Sequence, residues 1–466
     1  VRRPGSLVLW SAALASVACE GTKVLPASPQ LVIYVDTDAV VSKETLTPTS
    51  FLDAPALFDT IEIDGIHGGA VCATCSRQFH VFEEMFQAKE VSFGVVAPLV
   101  AGDALRVKLY LSEDAIGGPP PAEATIDVTV TLPSLPAEGV LAETLVLLTD
   151  DVGIAKRGQL TEGVPATSRV GTWAPARRVD CGAPAREGEV CVPGGAYWMG
   201  NPLVAHLGTQ DGDHLRLVAL SPFYVDSTEV TVAEYRPLVD AIGLGESWSG
   251  EVGCYAEDYC TFTNEPGPYD DHPMNCVTPA NAAAFCQMKG KELPSEAEFE
   301  YLASGLASDS FVWGEDPPAC GDAVLSRGGL GFFAGYDDAC LDVSGTVHSC
   351  GGAPPGGLPL GGPLKTGSGA RDRLTIALPS STGTIYDLVG NVSEATRDDW
   401  SLLSGPCWSA PGVYTDPVCT VSSGSVSIRG GDWTGNGADA RAAVRSQVLP
   451  SQFSAQLGFR CVRRVK

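Results

Sequence analysis

Gly290-Lys-Glu-Leu-Pro-Ser-Glu-Ala-Glu-Phe-Glu-Tyr301 decides how the C-terminal part of the chain is read. Ser295 followed three residues later by Glu298 is a capping box, in which hydroxyl and carboxylate each take a backbone N–H that the first helical turn leaves unpaired. The spacing predicts a helix opening at Ser295 with Phe299 and Leu302 on its buried side. Upstream, Thr278 supplies an N-cap and Pro279 a first-turn proline for a helix over 279–288. Thr231 with Glu234 repeats the capping box ahead of Tyr235, Leu238, Val239 and Ile242, and Pro237, which has no N–H to give, predicts that this helix is kinked or short. Cys191-Val-Pro-Gly-Gly-Ala-Tyr-Trp-Met-Gly200 reads as a strand that turns tightly and buries Tyr197, Trp198 and Met199. Downstream lie Tyr386-Asp-Leu-Val-Gly-Asn-Val-Ser-Glu394, Asp398-Asp-Trp400, Arg429-Gly-Gly-Asp-Trp433, Arg441-Ala-Ala-Val-Arg445 and Leu457-Gly-Phe-Arg-Cys461.

The chain of 466 residues is longer than one hydrophobic core usually supports, which predicts two or three domains. Its 53 glycines and 34 prolines point to short elements joined by many turns. A formal charge of -26 repels phosphate backbones and anionic lipid surfaces, so nucleic acid is disfavoured as a partner. Arg2 and Arg3, an apolar run from Leu7 to Ala18 and small residues up to Cys19 have the layout of a secretory signal. The run is too short for a bilayer core that needs about 20 apolar residues. Ser16-Val17-Ala18-Cys19 resembles a lipobox, so Cys19 is expected to carry lipid and start the mature chain, with an ordinary signal peptide cut near Cys19 as the alternative. Either reading exports the chain, to the outer or cytoplasmic membrane, the periplasm or the exterior. Setting Cys19 aside leaves an even number of cysteines, which in an exported chain reads as disulfides. Cys181 with Cys191, Cys254 with Cys260, and Cys407 with Cys419 bracket turn-rich loops and are expected to bridge locally. Pairing of Cys276, Cys286, Cys320, Cys340, Cys350 and Cys461 stays open.

Residues 24–160 carry period-two runs, such as Leu105-Arg-Val-Lys-Leu-Tyr-Leu111 and Ile126-Asp-Val-Thr-Val-Thr-Leu132, separated by Gly, Pro and Asp without an amphipathic helix between them. This predicts an antiparallel β-sandwich. Within it His67, Cys72, Cys75 and His80 offer four zinc-type ligands within a short stretch. A disulfide between Cys72 and Cys75 is the competing reading in an oxidising compartment, and a redox-active dithiol has less support because no βαβ pattern surrounds it. Residues 161–190, without periodicity, read as a linker, and 191–466 as the second domain.

The ordered series across 191–466 resembles the formylglycine-generating enzyme, or sulfatase-modifying factor, family: P-G-G-x-x-x-M-G, E-V-T-x-x-x-Y, G-K-x-L-P-S-E-x-E-F-E, G-N-V-x-E, R-G-G-x-W and G-F-R. Glu292 stands where Arg is usual, Phe299 where Trp is usual, and Ser393 and Ala395 where aromatics usually flank Glu394. The resemblance implies a C-type-lectin-like domain of low regular secondary structure. It also implies oxidation of a target cysteine to formylglycine at a copper held by two cysteine thiolates soon after R-G-G, ligands that soft Cu(I) favours. Residues 431–445 contain no cysteine, so copper is not expected. Asp432, Trp433, Asn436, Asp439 and Arg445 are pocket candidates, with turn-forming surface residues as the alternative for the Asp and Asn. The resemblance further implies a structural Ca2+ at Asn391, the backbone of Val392 and Glu394, oxygen donors of the type a hard cation requires. A turn fixed by hydrogen bonds without metal is the alternative.

Two insertions stand out. Residues 246–271 gather Glu246, Glu251, Glu257, Asp258, Glu265, Asp270 and Asp271, and 350–370 are dominated by Gly and Pro. Two function classes follow: a noncatalytic binding or structural module of the cell envelope, presenting loops to a protein or glycan, and a formylglycine-generating oxidase that activates sulfatases. The missing thiolates favour the first.

Overall fold

The computed structural model describes residues 29–44, 50–72, 74–96, 99–115, 118–202, 214–243, 259–319, 321–325, 362–379 and 381–465. The leader with Cys19 lies outside them, as do Cys254, Cys320, Cys340, Cys350, residues 246–258 of the first insertion and 350–361 of the second.

The N-terminal sandwich has ten strands: β1 (Gln30–Thr37), β2 (Thr60–His67), β3 (Ala70–Val71), β4 (Arg77–His80), β5 (Ser92–Val96), β6 (Ala104–Tyr110), β7 (Ile126–Thr131), β8 (Val140–Leu147), β9 (Ala155–Arg157) and β10 (Thr161–Glu162). One sheet runs β10-β8-β1-β5, and the other runs β3-β2-β6-β7-β9 with β4 also on β2. Alternation turns Leu31 and Ile33 of β1 and Val107 and Leu109 of β6 inward, all with no exposure, as the period-two pattern requires. The sheets are mixed, not antiparallel as expected: β8 lies parallel to β1 with Gln30 opposite Val140, and β9 parallel to β7. Side-chain alternation is the same for either strand direction, so the pattern does not encode it.

The expected linker 161–190 is no free tether: Thr161–Glu162 form β10 of the sandwich, 168–176 pack against it, and Cys181 and Val190 already join the core of the second domain. Trp173 is buried, and its Nε1 donates to Asp150 at 2.9 Å. Val170 and Ala176 join the same core, and the N–H groups of Gly171 and Trp173 bond the carbonyls of Ala39 and Asp38.

The second domain contains β11 (Glu189–Val192), β12 (Gly195–Met199), β13 (Arg216–Leu220), β14 (Phe223–Asp226), β15 (Arg373–Ala377), β16 (Thr382–Tyr386), β17 (Ser393–Asp399), β18 (Tyr414–Thr415), β19 (Val426–Arg429), β20 (Arg445–Val448), β21 (Leu457–Gly458) and β22 (Val462–Arg464). They form small sheets, β11-β14-β22, β12-β13-β18, β15-β16 and β20-β19-β17-β21. A short helix α1 (Glu83–Gln87) belongs to the sandwich, while α2 (Val232–Tyr235), α3 (Val239–Ile242), α4 (Pro279–Met288) and α5 (Glu296–Ala303) belong to this domain. Both expected capping boxes form, at Thr231 with Glu234 and at Ser295 with Glu298. The Thr278 side chain caps Asn281 with Pro279 in the first turn. A 3-10 turn over Arg236–Leu238 separates α2 from α3, where the ring of Pro237 interrupts the helix.

The strands β12 and β13 are buried on both faces. Tyr197, Met199, Val218 and Leu220 face a core shared with α5, whereas Ala196, Trp198, Leu217 and Ala219 face the sandwich core. Trp198 stands edge-on to Phe58 at 5.6 Å and donates from Nε1 to the Leu57 carbonyl at 2.8 Å. The two domains are therefore joined by a continuous apolar interface.

Candidate functional site

The segment after R-G-G leaves β19 through Gly430 at φ +82 and Gly431, where an added Cβ would sit 2.8 Å from the Val389 carbonyl. Only a residue without a side chain lets the loop approach β17's lead-in so closely. Asp432 Oδ1 then accepts from the Thr434 N–H at 2.8 Å and its hydroxyl at 2.5 Å. Asp439 Oδ2 accepts from the Asn436 N–H at 2.8 Å, and Asn436 Oδ1 accepts from the Ala438 N–H at 2.7 Å. Burial pushes the Asp432 carboxyl up, the Thr434 bonds opposing it. Each of these three side chains fixes its own loop as a turn, the alternative to a pocket lining that the sequence offers.

Trp433 and Arg445 go elsewhere. Trp433 is buried, donates from Nε1 to the Ala455 carbonyl at 3.1 Å and packs on Tyr259 at 4.7 Å. Arg445, at the start of β20, lies in a bidentate pair with Glu296, at 2.6 and 2.8 Å, and stacks on Trp400. Both follow R-G-G and so read as pocket candidates, but the sequence carries no signal for which way each side chain turns.

Cys276 belongs to the cluster around Trp433, with Cys260 against it, and the two are bonded to each other. The expected bridge from Cys254 to Cys260 is thus replaced by Cys260–Cys276. The cause is the pairing of their flanks: Asn275 Oδ1 accepts from the Thr261 N–H at 2.8 Å, and its Nδ2 donates to the Tyr259 carbonyl at 2.8 Å. The local bridges Cys181–Cys191 and Cys407–Cys419 form, and Cys286 pairs with Cys461 across 175 positions.

Of the three residues expected to hold Ca2+, Asn391 and Glu394 have their side-chain oxygens engaged by protein groups. Both Glu394 oxygens accept from the Arg460 guanidinium, at 2.6 to 2.9 Å, with neither side chain exposed. Asn391, at φ +67, accepts on Oδ1 from the Leu364 N–H at 2.9 Å and donates to Glu229 at 3.1 Å, and its carbonyl takes the Trp433 N–H. A guanidinium thus stands where a cation would meet Glu394, and the amide oxygen is already used; the hydrogen-bonded turn is the reading these contacts support. Around the pair sit Glu229, Asp372 and Asp387, all buried, and burial pushes each carboxyl up, Asp372 to about 7. Glu229 in E-V-T, Asp387 in the segment ending at Glu394 and Arg460 in G-F-R lie far apart in the sequence, and nothing in it signals that they form one cluster. The expected result of adding millimolar Ca2+ is an unchanged melting midpoint, since only a ligand bound to the folded state raises it; a saturable rise in a thermal melt would restore the cation.

Residues 180–465 match the Sulfatase-modifying factor enzyme 1-like domain model, more than half of the chain. The chain belongs to this family. Among its relatives is the formylglycine-generating enzyme of Streptomyces coelicolor, 26% identical over 325 residues that cover 62% of this chain and 94% of the relative. The formylglycine-generating enzyme of Bos taurus is 26% identical over 58% of this chain and 73% of its own length. The solved structure of PvdO from Pseudomonas aeruginosa is similar at 21% identity and a TM-score of 0.40, covering 59% of this chain and 94% of that one.

The match of the sulfatase-modifying factor domain stops short of the sandwich, where the zinc expectation falls. Cys72 and Cys75 are bonded to each other. His80 lies opposite Thr60 at one end of β2 and His67 closes the other, about 23 Å away at roughly 3.3 Å per residue. The hairpin that carries the four residues separates its histidines. Among the described residues every cysteine is in a disulfide, which places the chain in an oxidising compartment, and no helix is long and apolar enough to cross a membrane.

Proposed function

We propose that this chain is an exported protein of the cell envelope, anchored through lipid on Cys19, whose sulfatase-modifying factor domain binds a protein or glycan without oxidising cysteine. The observation that carries this reading is the state of sulfur around R-G-G. Residues 431–445 have no cysteine, and the two sulfurs beside Trp433, of Cys260 and Cys276, are bonded to each other. Cu(I) requires soft thiolate donors, and a disulfide offers none. The side chains of Asp432, Asn436 and Asp439 are engaged in turns, so they brace a loop surface in place of a metal shell. The sandwich serves as a rigid base, because its core continues into β12 and β13.

A titration of the full chain, purified without reductant, with Cu(I) against a competing chelator tests this. The expected result is no stoichiometric uptake. Tight binding of one Cu(I) per chain would favour the oxidase that the names of the relatives suggest.

A further inference from the structure

We infer that the Cys72–Cys75 disulfide on the sandwich is a thiol–disulfide exchange centre, taking two electrons from an external dithiol or from two monothiols. The inference is independent of the function proposed for the second domain.

Access separates this bridge from the others. Cys75 is exposed and Cys72 half-buried, whereas among the described residues each of the other four bridges has at least one buried half, Cys181 and Cys191, Cys276, Cys286 and Cys461, and Cys419. Exchange needs a thiolate to reach a sulfur in line with the bond, so burial protects those four and leaves this one open.

Of the described bridges it also closes the shortest loop. It joins residues three apart, against 175 for Cys286–Cys461, and the entropy removed from the unfolded chain grows with the logarithm of the loop closed. The turn is already held without it: the Cys72 N–H bonds the Gly65 carbonyl at 2.8 Å, and the Cys75 N–H bonds the Cys72 carbonyl at 3.0 Å. Opening therefore leaves the two sulfurs poised to close again, which makes the reaction reversible.

The surroundings favour a leaving thiolate. The Thr74 hydroxyl lies 3.6 Å from Cys72 Sγ. Arg77 is held over the loop, its Nη1 donating to the carbonyls of Thr74 at 3.2 Å and Ser76 at 2.7 Å. A guanidinium beside a C-x-x-C loop stabilises the thiolate form. Cys75 sits close on Gly65, where an added Cβ would meet Cys75 Cβ at 3.3 Å.

The donor's thiolate attacks exposed Cys75 Sγ, the Cys72–Cys75 bond breaks, and its electron pair leaves on Cys72 Sγ beside the Thr74 hydroxyl. A second donor thiolate attacks the donor's sulfur in the mixed disulfide and releases Cys75. The donor ends as a disulfide, and two electrons and two protons have passed to Cys72 and Cys75.

The test equilibrates the full chain in graded ratios of reduced to oxidised glutathione, traps thiols with N-ethylmaleimide and maps them by mass spectrometry. Cys72 and Cys75 are expected to be labelled at a ratio at least tenfold less reducing than any other pair, about 30 mV for a two-electron couple. Arg77→Ala and Thr74→Ala are expected to slow opening several-fold, and the Cys72→Ser/Cys75→Ser variant to keep the parent melting midpoint. Opening together with or after the buried bridges overturns the inference. So does a large loss of stability in the double serine variant, which would mark the bridge as a staple.

Discussion

Arg445→Leu is expected to cost the protein about 3–5 kcal/mol, the range for removing one partner of a buried ion pair. Arg445 and Glu296 have no side-chain exposure, and Arg445 also donates to the Ser401 carbonyl at 2.8 Å. Burial alone would push the Glu296 carboxyl up, yet Arg445 and then Arg429 hold it below the usual range. Without Arg445 the remaining cation is Arg429, whose Nε lies 3.6 Å away and whose other nitrogens serve Glu300 and the Val444 carbonyl. Asp398, whose Oδ2 accepts the Glu296 N–H, offers no relief, since burial and then the Glu296 charge already raise its carboxyl to about 7. Urea unfolding of the full chain measures the loss. Pairing Arg445→Leu with Glu296→Leu should recover part of it, because the second change removes the stranded charge.

Trp198→Ala is expected to cost a similar amount, about 3–5 kcal/mol for a buried aromatic cut back to alanine. Its location gives it a second effect. Trp198 is buried, fills the sandwich core from β12, meets Phe58 edge-on and bonds the Leu57 carbonyl. The cavity would open between the two domains, so unfolding of the sandwich and of the second domain should separate. In the parent a single calorimetric transition is expected, and in the variant two. One unchanged transition in Trp198→Ala would mean that the interface contributes little.

Local chemistry was readable in the sequence wherever a few adjacent residues decide the outcome. The caps at Thr231, Thr278 and Ser295 and the break at Pro237 are short-range hydrogen-bond and steric facts, and they stand as read. The inward positions of the sandwich strands followed from period two. What the sequence did not disclose depends on distant partners. Strand direction leaves alternation unchanged, so the parallel pairing of β1 with β8 was hidden. Cys260 finds Cys276 because Asn275 ties their flanks together, a fact of packing and not of spacing. Glu394 looked like a free oxygen donor until Arg460, 66 positions on, was seen to occupy it. His67 and His80 are near in sequence only because a hairpin folds between them. The same holds for β12, whose continuous apolar run fits any fully buried strand and does not say that its two faces serve two cores.

The most direct test of a retained scaffold without the oxidase chemistry is aldehyde formation. The full chain, supplied with Cu(I), oxygen and a cysteine peptide of the sulfatase type, is predicted to yield no formylglycine above the peptide's own background. Formylglycine that accumulates with enzyme concentration, and is lost in Cys260→Ser or Cys276→Ser, would contradict the account and make the sulfur pair beside Trp433 the centre of an oxidase.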